Sequence, residues 1–370
     1  MPRLSIHFSA DPAPAALFAL AGQALAGGAR ALAILAADGN DCRADDFDDW
    51  LRRLDVPVCG GVFPQLIHER RNQPLGYLVI GFSTALTVVD LPGLSDPDAD
   101  YYESVEALFD GTEPPHSLLV LVDGMATRIG ALLDGIYDVL GSEPGYFGGG
   151  AGSLSFVRKP CLFSNQGMLT DHAQLVSLPW PLDLAVEHGW QRFAGPFVVT
   201  AAQGNIVTHL DFKPAFEVYR QHVEADSGQR FDSGNFFSIA KAYPFGMERP
   251  DGSLVVRDPI TRTDSGVTCV GEVPANSVVH LLRGQPEALI DAAARCGKQL
   301  AAGNDAVMVV DCISRVLFLQ DAFTRELEAV QQAVGARPLF GMLTLGEIAN
   351  GGSTCLEFYN KTLVLASPRA

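Results

Sequence analysis

The sequence predicts an α/β protein of mixed β-sheets flanked by helices, arranged as two lobes with repeated strand–helix–glycine turn–strand units. Three observations carry this reading. One order of segments, helix, strand ending in Asp, helix, glycine-bearing apolar run and returning strand, occurs three times along the chain. Strands alternating with helices imply helices laid over a sheet face. A returning strand joined by a short connection adds an antiparallel component, so the sheets are mixed.

The first unit opens with the alternating strand Leu4-Ser5-Ile6-His7-Phe8. A helix follows from Asp11 and Pro12, with Leu17, Leu20, Ala21, Ala24 and Leu25 on one stripe, and Gly27-Gly28 stops it. Ala31 to Ala37 is a buried strand ending at Asp38-Gly39, and an acidic helix around Phe47, Trp50, Leu51 and Leu54 leads to Val58-Cys59-Gly60-Gly61. Strands over 75–82 and 86–91 close this unit as a pair. The second unit runs through a helix from Tyr101 to Phe109, a strand from Ser117 to Val122 ending at Asp123-Gly124, and a helix with Ile129, Leu132, Leu133, Ile136, Tyr137 and Leu140 on its inner face. It then reaches the glycine run around Gly148 and the strand segments 161–163 and 173–178. The third places a helix after Pro286, a strand from Ala306 to Asp311, a helix through Phe323, Leu327, Val330 and Val334, and the apolar run ending at Gly341. Glycine at Gly60, Gly148 and Gly341 marks a backbone with φ > 0 or a close approach, and is expected to lie in a turn, a bulge or a sheet corner.

Between the second and third units the pattern changes. Gln203-Gly204-Asn205 between two β-rich runs signals a hairpin, Lys213-Pro214 starts a helix, and 225–235 reads as a mobile linker before three more strands. A boundary near residue 200 divides the chain into domains 1–200 and 201–370.

With 370 residues and 48% hydrophobic residues, the chain can bury a large core. The net charge of −17 argues against a nucleic-acid groove or an anionic membrane surface, which need clustered Lys and Arg. No apolar run approaches the roughly 20 residues of a spanning helix, and no signal peptide is visible, so a cytoplasmic location without membrane insertion is expected. The seven cysteines are scattered and make no CxxC, against a disulfide frame, a zinc knuckle or a covalently attached haem. No GxSxG, P-loop, strand-linked GxGxxG or HExxH is present, so no enzyme is expected.

Several stretches together carry a family resemblance. Gly346-Glu347-Ile348 with Glu357-Phe358-Tyr359-Asn360-Lys361-Thr362 resembles the closing signature of FIST-domain proteins. Gly189-Trp190, Pro196-Phe197-Val198-Val199-Thr200 and Pro214-Ala215-Phe216-Glu217-Val218-Tyr219 are similar to the central segment of that family. Tyr243-Pro244-Phe245-Gly246 and Gly271-Glu272-Val273-Pro274 are similar to the start of its C-terminal part. The resemblance covers nearly the whole chain. It implies two FIST lobes and an intracellular sensor of a small-molecule or gas ligand that acts on a partner such as a histidine kinase or other signalling effector. Its sharpest form is a haem-based nitric oxide sensor, carrying haem b. The alternatives are a sensor of an amino-acid-like ligand without haem, or an enzyme dependent on Cys or Asp.

A non-covalent haem needs an apolar pocket and an axial ligand. His188, opening the His188-Gly189-Trp190 stretch at a domain junction, is the first candidate for the iron, with His68, His172 and His280 behind it. Arg257 is placed to clamp a propionate or a ligand carboxylate, or to pair with Asp258. Gly60, Gly148, Gly341 and Glu347 are the expected ligand contacts, Glu347 towards an amine or guanidinium. Asp38, Asp123 and Asp311, at the strand ends, are expected to cap the next helix, or to line a crevice.

Overall fold

The computed structural model describes residues 3–263, 266–350 and 355–369. Its three six-stranded sheets are built to one plan. In the first sheet, Leu4–Ser9, Tyr77–Phe82, Ala31–Ala37 and Val58–Phe63 lie side by side. In the second, the same places are taken by Thr87–Pro92, His172–Leu178, Ser117–Asp123 and Gly145–Ala151, and in the third by Leu182–Glu187, Leu363–Pro368, Val307–Cys312 and Leu339–Thr344. The Asp-bearing and glycine-bearing strands are parallel, and the return strand runs antiparallel to the former. The threefold repeat is therefore an architecture of three mixed sheets.

Each sheet is completed by a hairpin from a different unit. Gln65–His68 and Arg71–Gln73 of the first unit extend the third sheet, through pairs such as Phe340↔His68. Leu162–Ser164 and Gly167–Leu169 of the second extend the first, at Leu162↔Gly61. Glu347–Ala349 and Glu357–Tyr359 of the third extend the second, at Ile348↔Gly148. The three hairpins close a ring of exchanges. The sequence gives no sign of it, because β-pairing partners distant in the chain leave no local periodicity.

The inner faces of the three sheets meet in one core holding Ala33, Leu35, Leu119, Leu121, Val310 and Met342. The outer faces are covered by helices: Pro14–Ala26 and Ala44–Leu51 on the first sheet, Tyr101–Phe109 and Ile129–Leu140 on the second, Pro286–Gln299 and Phe323–Val334 on the third. Burial on both faces explains why Ala31–Ala37, Ser117–Asp123 and Leu339–Thr344 read as unbroken runs rather than alternations.

Two expectations change. The strands at 77–82 and 87–92 do not pair with each other; they belong to the first and second sheets. The stretch 225–235 is largely exposed but anchored at one residue: Phe231 sits in the cluster of Phe216, Tyr219 and Phe236, and its N–H donates to Glu224. Its polar composition conceals one aromatic anchor.

The seven-stranded antiparallel sheet lies between residues 191 and 283, inserted after the first strand of the third unit. Its first strand, Gln191–Gln203, also pairs with Ile206–Leu210, so the sheet closes on itself around a core of its own. Residue 200 lies within that first strand. Among the described residues no helix is long and apolar enough to cross a membrane.

The ring of hairpins makes a direct prediction. A fragment of residues 1–200 lacks the partner strand Leu339–Thr344 for its own first hairpin, and the hairpin Glu347–Tyr359 for its second sheet. It is expected to show no cooperative urea transition by far-UV circular dichroism. A sharp transition with the m-value of an intact domain of that length would disprove this.

Candidate functional site

A cleft of about 460 Å³ lies between the three-sheet body and the inserted sheet. Three parts of the chain form it. Strand Leu254–Thr263 of the insert supplies Asp258 and Ile260. The third unit supplies Ser314 and Leu317 on helix Ile313–Leu319, Leu345-Gly346 before strand Glu347–Ala349, and Asn360 after strand Glu357–Tyr359. The second unit supplies Gly124-Met125 and the loop residues Leu154 and Phe156. The cleft opens into a groove of about 690 Å³ that reaches Arg257.

The walls are mostly apolar and the floor is polar. Asp258 is buried, and its Oδ2 accepts from the Ser314 hydroxyl at 2.6 Å. Its Oδ1 lies 3.1 Å from the Lys361 ammonium, at ion-pair distance but outside hydrogen-bonding geometry. The Lys361 side chain has no exposed surface; it donates to the Lys241 carbonyl at 3.0 Å and lies 5.0 Å from the centre of the Trp190 ring. The Asn360 amide nitrogen donates to the Tyr359 carbonyl at 2.8 Å, while its side-chain oxygen is buried with no hydrogen-bond partner among the described residues. An unpaired buried acceptor costs about 1–3 kcal/mol, and native proteins keep few of them.

Beneath the floor sit further buried charges. Arg315 lies between Asp311 and Glu326, at 3.2 and 2.9 Å, with all three side chains fully buried. Its guanidinium also donates to the Lys361 carbonyl at 3.2 Å and to the carbonyls of His188 and Leu289. Burial first, and then the Glu326 carboxylate, hold the Asp311 carboxyl well above its ordinary range. Two carboxyls thus share one guanidinium, and a proton makes up the balance.

Glu347 is fully buried beside this network. Its oxygens accept from the Thr344 hydroxyl at 2.8 Å and the Thr362 N–H at 3.1 Å, and burial pushes its carboxyl up to about 8. The folded state therefore keeps a proton that the unfolded chain releases above 4.5. Stability falls as pH rises between these values, with this one group contributing about 1.4 kcal/mol per pH unit. Glu347→Gln is expected to remove that part of the slope from urea titrations between pH 5 and 8. An unchanged slope would mean that Glu347 is ionised in the folded protein.

The residues singled out in the sequence are dispersed. Gly60, Gly148 and Gly341 lie inside strands rather than turns, opposite Ile34, Val120 and Val309 of the parallel neighbours. An added Cβ at each would overlap the carbonyl oxygen of that neighbour, far inside the 3.0 Å that real Cβ contacts respect. The close approach is thus to a strand. The Arg257 guanidinium donates to the carbonyls of Glu272 at 2.8 Å and Phe358 at 2.9 Å and does not pair with Asp258; adjacent strand residues face opposite sides of the sheet. Burial pulls Arg257 down to about 10.

The three strand-end aspartates cap no following helix with their side chains. They also stand out of register, at four, three and two residues beyond Ile34, Val120 and Val309. Asp38 binds Lys159 and Ser153, Asp123 accepts from the N–H groups of Met125 and Asp171, and Asp311 joins Arg315.

His188 borders a second cavity, of about 610 Å³, with Trp190, Arg192, Arg249, Tyr359 and Thr362. Its Nδ1 accepts from the Trp190 N–H at 3.0 Å, and burial first, then Arg315, lower its pKa to about 4. His68 stacks on Phe8, the Nδ1 of His172 is 2.6 Å from the Thr170 carbonyl, and the Nε2 of His280 is 2.5 Å from Glu248; none of the three borders the cleft or the second cavity. Among the described residues no group of three or more His, Cys, Asp or Glu is placed to hold a metal ion. Burial pushes the thiols of Cys161, Cys269, Cys296 and Cys312 well up, with Cys42 at about 11 and Cys59 at about 12, so these six offer no thiolate at neutral pH.

Asp258, Ser314, Asn360 and Lys361 were not assigned a ligand role from sequence. Asn360 and Lys361 stand in the Glu357–Thr362 stretch that carried the resemblance, which was the one available signal.

A layered α/β body with a largely apolar cleft and a few convergent polar groups is that of a ligand-binding protein. The chain belongs to the FIST-domain proteins. The FIST N domain matches residues 55–213 and the FIST C domain residues 215–350. FIST domains are associated with small-ligand sensing in signalling. No curated protein matches the chain.

Proposed function

We propose that this protein is a small-ligand sensor acting on a partner signalling protein, and that its ligand occupies the cleft floored by Asp258, Ser314 and Asn360. The observation that carries the reading is the buried Asn360 oxygen, unpaired among the described residues, in a residue that lines a cleft with mostly apolar walls. A ligand that supplies a donor there recovers the cost of leaving it unpaired. The class of partner, a histidine kinase or other effector, rests on the family resemblance.

Of the two ligand classes raised by the sequence, the cleft favours the amino-acid-like one: a small organic body with a hydrogen-bond-donating head. Haem at His188 fits less well. Its Nδ1 accepts a backbone hydrogen bond, which leaves the proton of the neutral ring on Nε2, whereas an iron-ligating imidazole donates from its other nitrogen. The surrounding cavity carries Arg192, Arg249 and Asp251, not the apolar lining haem needs.

The test is thermal unfolding with a panel of free amino acids and small primary amines, together with haem reconstitution. A true ligand at 100 times its Kd stabilises by about 2.7 kcal/mol, and Asn360→Leu should abolish that shift. The reading fails if no panel member raises the Tm. It also fails if haem alone binds, with a Soret band that His188→Ala removes.

A further inference from the structure

We propose that the Lys361 ammonium is a built-in stand-in for the ligand's head group, and that a cationic ligand head displaces it from Asp258 towards the second cavity beside Trp190. This rests on the cleft being the ligand site and adds the charge of the ligand and the route by which binding is reported.

Four observations meet at this point. Asp258 lines the cleft, and its Oδ1 is held by Lys361 through charge alone, without a formed hydrogen bond. That oxygen and the unpaired Asn360 oxygen are two buried acceptors on residues that line one cleft, a match for an ammonium with several N–H donors. One buried carboxylate does not hold two ammonium groups, because the second would be a buried, uncompensated charge. The segment 359–362 is also the wall between the two cavities: Asn360 faces the cleft, while Tyr359 and Thr362 face the second cavity with Trp190.

The displaced side chain has a defined path. The Lys361 backbone is clamped, its carbonyl accepting from Trp190 Nε1 at 2.9 Å and from Arg315 at 3.2 Å, with φ at 52°. What can turn is the side chain, which is fully buried and leaves its bond to the Lys241 carbonyl as it moves. Its ammonium already lies over the ring of Trp190, which borders the roomier cavity of about 610 Å³. The exchange is neutral in charge: the ligand cation pairs with Asp258 while the lysine cation gains water. The ligand class that follows is a primary or secondary ammonium on an apolar body.

The probes are phenethylamine and its uncharged counterpart 2-phenylethanol, added to a Trp50→Phe/Trp180→Phe protein in which Trp190 is the sole tryptophan. The amine should change Trp190 emission, and the alcohol should bind without changing it. Lys361→Met should bind the amine at least tenfold more tightly and report no change at Trp190. The proposal is overturned if amine and alcohol bind alike with the same emission change, or if Lys361→Met binds the amine no more tightly than the parent. Those results leave the cleft as a ligand site. If neither probe nor any panel member binds, the cleft reading falls and this proposal with it. If Lys361→Met does not fold, the amine–alcohol comparison in the parent protein decides alone.

Discussion

Gly341→Ala is expected to abolish folding. The glycine pairs with Val309 in the middle of the parallel ladder of the third sheet, and its Cβ would overlap the Val309 carbonyl oxygen. Neither partner can give way, because Val309 and its strand neighbours lie inside the sheet and both strands are hydrogen-bonded on either side. A backbone overlap of this kind is expected to cost more than about 5 kcal/mol, comparable to the whole stability of a typical domain. Gly60→Ala and Gly148→Ala meet Ile34 and Val120 in the same way, with φ of 130° and 146° as an added obstacle. Gly303→Ala is the control: nothing lies within 4 Å of its added methyl, and a change within about 0.5 kcal/mol is expected. Soluble yield and urea denaturation decide. A Gly341→Ala protein within 1 kcal/mol of wild type would show that the strands can part locally.

Arg315→Met should produce the second largest loss, about 3–5 kcal/mol, as when one partner of a buried ionic group is removed. The substitution leaves Asp311 and Glu326 without their cation and removes the guanidinium hydrogen bonds to the carbonyls of His188, Leu289 and Lys361. A double-mutant cycle tests the cause. Glu326→Gln should destabilise the wild type but stabilise the Arg315→Met protein, because there it removes an unpaired buried carboxylate. Additive effects of the two changes would mean that guanidinium and carboxylate are not coupled.

The sequence was most legible where structure is local. The helices Tyr101–Phe109 and Ile129–Leu140 and the strand Ala31–Ala37 stand where their periodicity and flanking signals put them. The recurrence of the glycines was also visible, but its cause was not: a turn glycine and a glycine pressed against a neighbouring strand look identical in one dimension. The site was hidden for a related reason. Asp258 and Ser314 are 56 residues apart in the chain and Asn360 lies beyond both, and the three come from an inserted sheet, a helix start and a strand end. Asp258 was read as a partner for its neighbour Arg257, whereas strand alternation turns the two side chains to opposite faces. Arg315, which lies in the run Ile313–Leu319, gave no signal, since a short apolar helix with one Arg reads as surface until its carboxylates are placed.

The circular exchange of hairpins dictates a timetable for a chain made from its N-terminus. By the time residue 169 has left the ribosome, the first sheet has every strand it needs. The other two do not. The second awaits 347–359, and the third awaits 363–368, the strand that sits between Leu182–Glu187 and Val307–Cys312. At synthesis rates of about 5–20 residues per second, roughly 200 further residues take about 10–40 s. Throughout that interval the edge of Gly145–Ala151 that faces away from Ser117–Asp123 lacks its final partner, and open apolar edges recruit strands from other chains. A nascent chain halted after the FIST N segment is thus an aggregation hazard and a natural client for chaperones, while the last residues made, 347–359 and then 363–368, complete the second and third sheets in quick succession.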